Sequence, residues 1–253
     1  MRRWTKPACR NPPTNTLSLL NHCLDPFLTL LYPPRCLVCS ALGDLRLCAV
    51  CTDQIAPVPI PQCGVCGHAL APEGLCFNCS ARPPMYNRAR AMGAFDGILQ
   101  TAIHHFKYHD RPQLAVPLGA LLASYARAES VQLNDLRFDA LLPVPMHSVR
   151  RRLRGYNQSE RLARIVSAEL GLPLMTNALL RTRPTRPQVG LTGEARRRNL
   201  HGAFAVRSLE LVNGKTFLLI DDVATSGSSL HECAATLKLA GAKAVYALTL
   251  AAG

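Results

Sequence analysis

The sequence is poor in aromatic rings, with one tryptophan, six tyrosines and seven phenylalanines among 253 residues. A binding surface assembled from stacked rings is therefore disfavoured. It is also poor in acids, with 16 Asp and Glu against 29 Lys and Arg, and the formal net charge is +13. That excess, much of it arginine, points to an anionic partner: phosphates, nucleic acid or an acidic surface. Long apolar runs are missing too. The stretch Leu17 to Leu31 is interrupted by Asn21, His22 and Asp25 and is too short and too polar to span a membrane. Arg2 and Arg3 precede it but no small-residue cleavage site follows, so no export signal is read and a cytoplasmic location is expected. Leu17, Leu20, Leu24, Leu28 and Leu31 recur at helical spacing, which predicts a short amphipathic helix in an N-terminal extension, residues 1–30.

Cysteine, by contrast, is abundant. Eight of the 11 fall into Cys-x-x-Cys pairs: Cys36/Cys39, Cys48/Cys51, Cys63/Cys66 and Cys76/Cys79. Each pair places two thiolates on one turn, half of a tetrahedral zinc site. Disulfides would call for an oxidising compartment, and four regular pairs exceed what redox dithiol chemistry needs. Structural zinc is the expectation, with the ion stabilising a segment too poor in large apolar side chains to fold alone. Sequential pairing of neighbouring knuckles into two ribbons is favoured; crossed pairing, or occupancy of one site only, stays open. Cys9, Cys23 and Cys233 stand alone, and Cys233 reads as a small core residue.

Pro83-Pro84 marks a boundary, after which helical and strand patterns alternate. The expected division is a cysteine-rich unit over residues 31–84 and a second unit over 85–253. Helices are predicted at Gly97–Tyr108, Pro112–Ala128 (kinked or starting late at Pro117), Ser159–Leu170 and Ser228–Ala240. Strands are predicted at Ala140–Pro145, Lys215–Ile220 and Val245–Leu250. This order implies an α/β fold, a doubly wound and mainly parallel sheet preceded by the small zinc-ribbon unit. Ligands of such sheets collect beyond the carboxyl ends of the strands.

Three segments are chemically loaded. After the strand at 217–220 come two adjacent acids, Asp221 and Asp222, then Thr225, Ser226, Gly227, Ser228 and Ser229 at a helix start. Acids suit ribose hydroxyls, directly or through a metal, and the hydroxyl-rich turn suits a phosphate at the positive end of a helix dipole. After the strand ending at Pro145 come His147, Arg150, Arg151, Arg152, Arg154, Gly155, Asn157 and Gln158, expected as a basic loop for a second phosphate group. For Asn157, helix capping is an equal reading. The segment Arg181 to Asn199, with Gln188, Arg196 and Asn199, reads as a basic lid.

The package Asp221-Asp222 to Gly227 resembles the phosphoribosyl pyrophosphate (PRPP) signature of type I phosphoribosyltransferases. Over residues 31–253 the chain resembles the ComF family of competence proteins. The shared features are the double zinc ribbon, Arg154-Gly-Tyr-Asn-Gln158, and the pattern of Gln188, Arg196, Asn199 and Gly202-Ala-Phe204. The resemblance implies that Asp221 and Asp222 hold ribose and magnesium, that 225–229 hold the 5′-phosphate, and that Pro145 to Arg154 face the pyrophosphate. Ser226 stands where the family often has threonine. No C-terminal hood for a free nucleobase is read, so PRPP binding is better supported than turnover, and no catalytic base is assigned. The resemblance further implies support of single-stranded DNA handling in natural transformation, with single-stranded DNA and DNA-uptake proteins as partners. The rival expectations are a phosphoribosyltransferase of nucleotide metabolism and a non-enzymatic nucleic-acid-binding module with a vestigial pocket.

Overall fold

A computed structural model describes residues 33–43, 45–70, 73–109, 111–128, 136–185 and 193–253. The helix expected at 17–31, together with Cys9, Cys23 and Gln188, lies outside them.

The main sheet has four strands in the order β1-β6-β5-β2: β1 Arg88–Ala94, β6 Ala244–Ala252, β5 Thr216–Ala224 and β2 Ala140–Pro143. All three pairings are parallel, as alternating strands and helices require. A two-stranded antiparallel ribbon, β3 Leu179–Arg181 with β4 Phe204–Val206, stands apart.

Parallel strands need both faces covered, which explains their nearly continuous apolar runs. On one face, α3 (Gly97–Tyr108), α4 (Ala115–Ala128) and α6 (Gln158–Leu170) bury Leu99, Ile103, Phe106, Leu118, Leu122 and Leu162 against Leu141, Leu218, Ile220, Leu248 and Leu250. Gly119 lets α4 approach α6 closely; a Cβ there would lie 2.6 Å from that of Ile165. On the other face, α8 (Ser228–Leu239) buries Leu230, Cys233 and Leu237 against Leu142, Phe217, Leu219 and Val245. Cys233 is thus the small core residue expected.

Of the two readings at Pro117, a kink or a late start, the structure shows the late start, with α4 beginning at Ala115. A 3-10 turn, Pro112–Leu114, precedes α4, and Pro117 falls in the helix's first turn, where its missing N–H costs nothing. Gly171, at φ 67°, closes α6. The strand expected to stop at Ile220 runs on to Ala224, so both acids lie within β5, with Asp221 paired in register with Thr249.

The cysteine knuckles straddle the sheet's edge strand. The first cluster, with Cys51 on the short helix α1 (Ala49–Asp53), joins the core under α3, where Cys36, Leu47 and Cys51 pack with Met92 and Leu99. His105 Nδ1 lies 2.7 Å from the Leu37 carbonyl oxygen. The second cluster sits toward the α8 side, beside Tyr86 and Ala89. Between them, the exposed edge of β1 is closed by backbone hydrogen bonds: Ala89 N–H to Val65 O at 2.7 Å and Ala94 N–H to Ala56 O at 2.9 Å. Covering an edge in this way removes a template for unwanted strand pairing.

Candidate functional site

The two metal sites form as sequential pairs. Cys36, Cys39, Cys48 and Cys51 make one cluster and Cys63, Cys66, Cys76 and Cys79 the other; in each, all sulfurs lie within 4.8 Å of one another. Sulfur separations of 3.8 Å (Cys36–Cys51), 3.7 Å (Cys39–Cys48) and 3.6 Å (Cys66–Cys76) match the ~3.8 Å edge of a tetrahedron with Zn–S near 2.3 Å. Crossed pairing is thereby set aside. Backbone amides steady the knuckles: Cys48 N–H points to Cys36 Sγ and Cys76 N–H to Cys63 Sγ, each at 3.4 Å. With four sulfurs per site there is no open position, so zinc here supplies shape rather than catalysis.

The second candidate site lies at the carboxyl end of β5. Asp221 Oδ1 accepts from Ser159 Oγ at 2.7 Å and from the Asp222 N–H at 2.9 Å. Ser159 sits in the first turn of α6, so that helix start is tied to the acid pair. Asp222, 8% exposed, is ion-paired through Oδ1 with Lys107 Nζ of α3 at 2.9 Å. Burial, and then the neighbouring Asp222 charge, push the Asp221 carboxyl up to about 7, against the pull of Ser159, the Asp222 amide and Lys107.

The turn after β5 leads into α8 through Gly227, in the left-handed region at φ 66°. Ser226 Oγ and Ser228 Oγ are 2.8 Å apart. Thr225 Oγ1 accepts from Arg196 Nη1 at 2.7 Å, so the predicted lid arginine rests on the predicted phosphate turn. A small pocket of about 20 Å³ is lined by Asp221 and residues of the turn. The turn also lines a much larger cavity of about 840 Å³, shared with the second cysteine cluster.

The basic loop expected after Pro145 is instead a helix, α5 (Ser148–Arg154), with none of its residues buried. His147 accepts from the Val149 N–H at its start, and Gly155, at φ 80°, ends it. A run of good helix formers explains the difference. Asn157 caps α6: its Oδ1 accepts from Ser159 N–H at 3.2 Å, and its Nδ2 donates to Val144 O at 3.1 Å. The capping reading of Asn157 is therefore realised. Gln158 is buried and accepts from Arg154 Nη1 at 3.0 Å. Neither pocket is lined by a residue of 145–158. The strands nevertheless bring the two segments to the same end of the sheet, where Val144 N–H bonds Ile220 O at 2.9 Å.

The lid segment also contains structure that the sequence reading missed: β3, β4 and the helix α7 (Gly193–Leu200). Asn199 lies in α7, where its carbonyl oxygen accepts from Arg183 at 3.1 Å. Two further residues of the acid site were missed. Ser159 and Lys107 meet the acids from helices remote in sequence. Arg181, on β3, lies over the Phe204 ring, and burial and then the Arg150 charge pull it below the ordinary arginine range. Only an arginine at a strand end, short of solvent, could have signalled it.

Comparisons with known proteins bear on both units. Residues 27–80 match the family described as a double zinc ribbon domain and residues 115–253 that of the phosphoribosyl transferase domain. Competence protein F of Haemophilus influenzae is 31% identical over 225 residues, 86% of this chain and 96% of that protein. DNA utilization protein YhgH of Escherichia coli K12 is 34% identical over 224 residues, 84% of this chain and 94% of that protein. Glutamine PRPP amidotransferase from Bacillus subtilis overlaps 58% of this chain and 30% of its own at TM-score 0.38 and 17% identity, too loosely to carry an argument. Among the described residues no helix is long and apolar enough to cross a membrane. With a phosphoribosyl transferase domain over more than half its length, a double zinc ribbon ahead of it and relatives matched nearly end to end, the chain belongs to the competence protein F family.

Proposed function

We propose that the protein binds PRPP or a related ribose phosphate at the end of β5 and supports the handling of single-stranded DNA during DNA uptake. The observation that carries the reading is the tethering of the acid pair beside a hydroxyl-rich turn. Ser159 and Lys107 hold Asp221 and Asp222, and Gly227 delivers Ser228 and Ser229 to the start of a 12-residue helix. Backbone N–H groups at such a start and the helix dipole favour a phosphate. The acids then face ribose hydroxyls, and Arg196, already on Thr225, moves its charge onto the phosphate.

Magnesium suits the same place, because the carboxylates offer hard oxygen donors. One oxygen of Asp222 is taken by Lys107, so the free oxygens of the pair would hold the ion, whose chemistry is to neutralise a pyrophosphate. The arginines of 150–154 and Arg181 would steady that second phosphate group, with Pro145, His147, Gly155 and Gln158 shaping the turn beside them. The names of the relatives, a competence protein and a DNA utilization protein, favour DNA uptake over base salvage, and the net charge of +13 suits a polyanion. Calorimetric titration with PRPP, with and without magnesium, tests the binding. One saturable site that weakens without the ion is expected, and no heat at millimolar ligand would defeat the reading.

A further inference from the structure

The larger of the two cavities is not lined by either acid. It lies between the 225–228 turn and the second cysteine cluster. At about 840 Å³ it falls within the usual range of ligand sites, ~300–1,000 Å³. Its cationic and protonatable lining comes from separate elements: Arg82 beyond the ribbon helix, His68 on the ribbon, Arg197 on α7 and His231 on α8. The one acidic side chain in the lining, Glu194, is engaged by Arg198 at 2.8 Å. Two arginines, Arg82 and Arg197, therefore face the cleft beside a turn already suited to phosphate.

It also holds an exposed ring. Phe77 opens the five-residue helix α2 (Phe77–Ala81), directly after Cys76 and two residues before Cys79, and is 85% exposed. A ring between two zinc ligands is fixed in place by the metal knuckle, without a hydrophobic core around it. The chain has few aromatics, so this is no stacking platform. One ring beside two arginines is enough for one base and its phosphates. Across the cleft, Tyr86 stands against the turn; a Cβ on Gly227 would lie 3.1 Å from its hydroxyl oxygen. The Met85 N–H donates to His231 Nδ1 at 3.3 Å, tying the ribbon's exit to α8. Ribbon and turn thus form one cleft with two walls.

We infer that this cleft is where single-stranded nucleic acid enters, with one base on Phe77 and the adjoining phosphates on Arg82 and Arg197. The strand then reaches the phosphate turn from the ribbon. The inference rests on the DNA half of the function proposed above and does not require PRPP to be bound.

The test is fluorescence anisotropy of a labelled oligothymidylate of about 12 nucleotides with the full-length, zinc-loaded protein. Phe77→Ala is expected to weaken binding about tenfold, the loss of one stacked base. It should leave zinc content and PRPP-induced stabilisation unchanged. Arg82→Glu is expected to weaken binding and make it less salt-dependent. Lys238→Glu, the same charge change at the far end of α8, should do so much less. Wild-type affinity in both Phe77→Ala and Arg82→Glu would overturn the cleft while leaving DNA binding intact. Absence of oligonucleotide binding by the wild-type protein would overturn the cleft and the DNA half of the proposed function, but not the PRPP site.

Discussion

Lys107 Nζ lies 2.9 Å from Asp222 Oδ1, joining α3 to the acid pair on β5 across 115 positions of sequence. Both side chains are largely buried, so the pair is shielded from salt and each charge depends on the other. Lys107→Met should cost about 3 kcal/mol in urea unfolding, because it leaves Asp222 buried without its cation. The double variant Lys107→Met/Asp222→Asn should recover much of that loss, since both charges leave together. Additive losses would show that the two residues do not act as a pair.

This contact also marks what can be read from sequence. The cysteine knuckles were legible because each pair is local, and the phosphate turn because its residues are consecutive. The helices at 97–108 and 228–239 follow from apolar spacing, and Gly171 marks an end. Lys107 and Ser159 were not legible as acid-site residues, because their partners are brought near only by parallel strand pairing and helix crossing. The 150–154 arginines looked like a loop because charge dominates the segment, yet Val149 and Leu153 complete a helical turn among them. Strands β3 and β4 were missed because each has only three residues, too few for a period to show.

The Asp221 carboxyl supplies a pH dependence. Burial and Asp222 raise it to about 7 in the folded protein, against about 3.9 in an unfolded chain. The folded state therefore binds this proton more tightly. The group's contribution to stability is fully present below pH 4 and is lost as pH rises through about 7. The difference in melting temperature between wild type and Asp221→Asn should grow in favour of the variant from about pH 5 to pH 8. A constant difference would contradict the shift.

Gly227 meets two demands at once, a left-handed φ of 66° and a neighbour, the Tyr86 hydroxyl, 3.1 Å from where a Cβ would stand. Gly227→Ala should lower stability by about 1–2 kcal/mol and weaken PRPP binding more than that loss explains, because the turn itself is distorted. Tyr86→Phe in the same background removes the crowding oxygen but not the backbone strain, so only partial recovery is expected. Full recovery would place the whole cost in the contact.

Metal analysis of purified protein should give two zinc ions per chain, and Cys63→Ser should remove one of them while the first cluster keeps its own. Chelation should melt the ribbon unit. A fully folded, metal-free protein would refute both sites.

The most direct test of the central claim is thermal unfolding with PRPP and magnesium, comparing the wild type with Asp221→Asn/Asp222→Asn. At ligand concentrations about 100-fold above Kd, the wild type should gain about 2.7 kcal/mol of stability, seen as a rise in melting temperature. The double variant, folded and carrying its zinc, should gain nothing. Equal stabilisation of both proteins would contradict the assignment of the ribose phosphate to the end of β5.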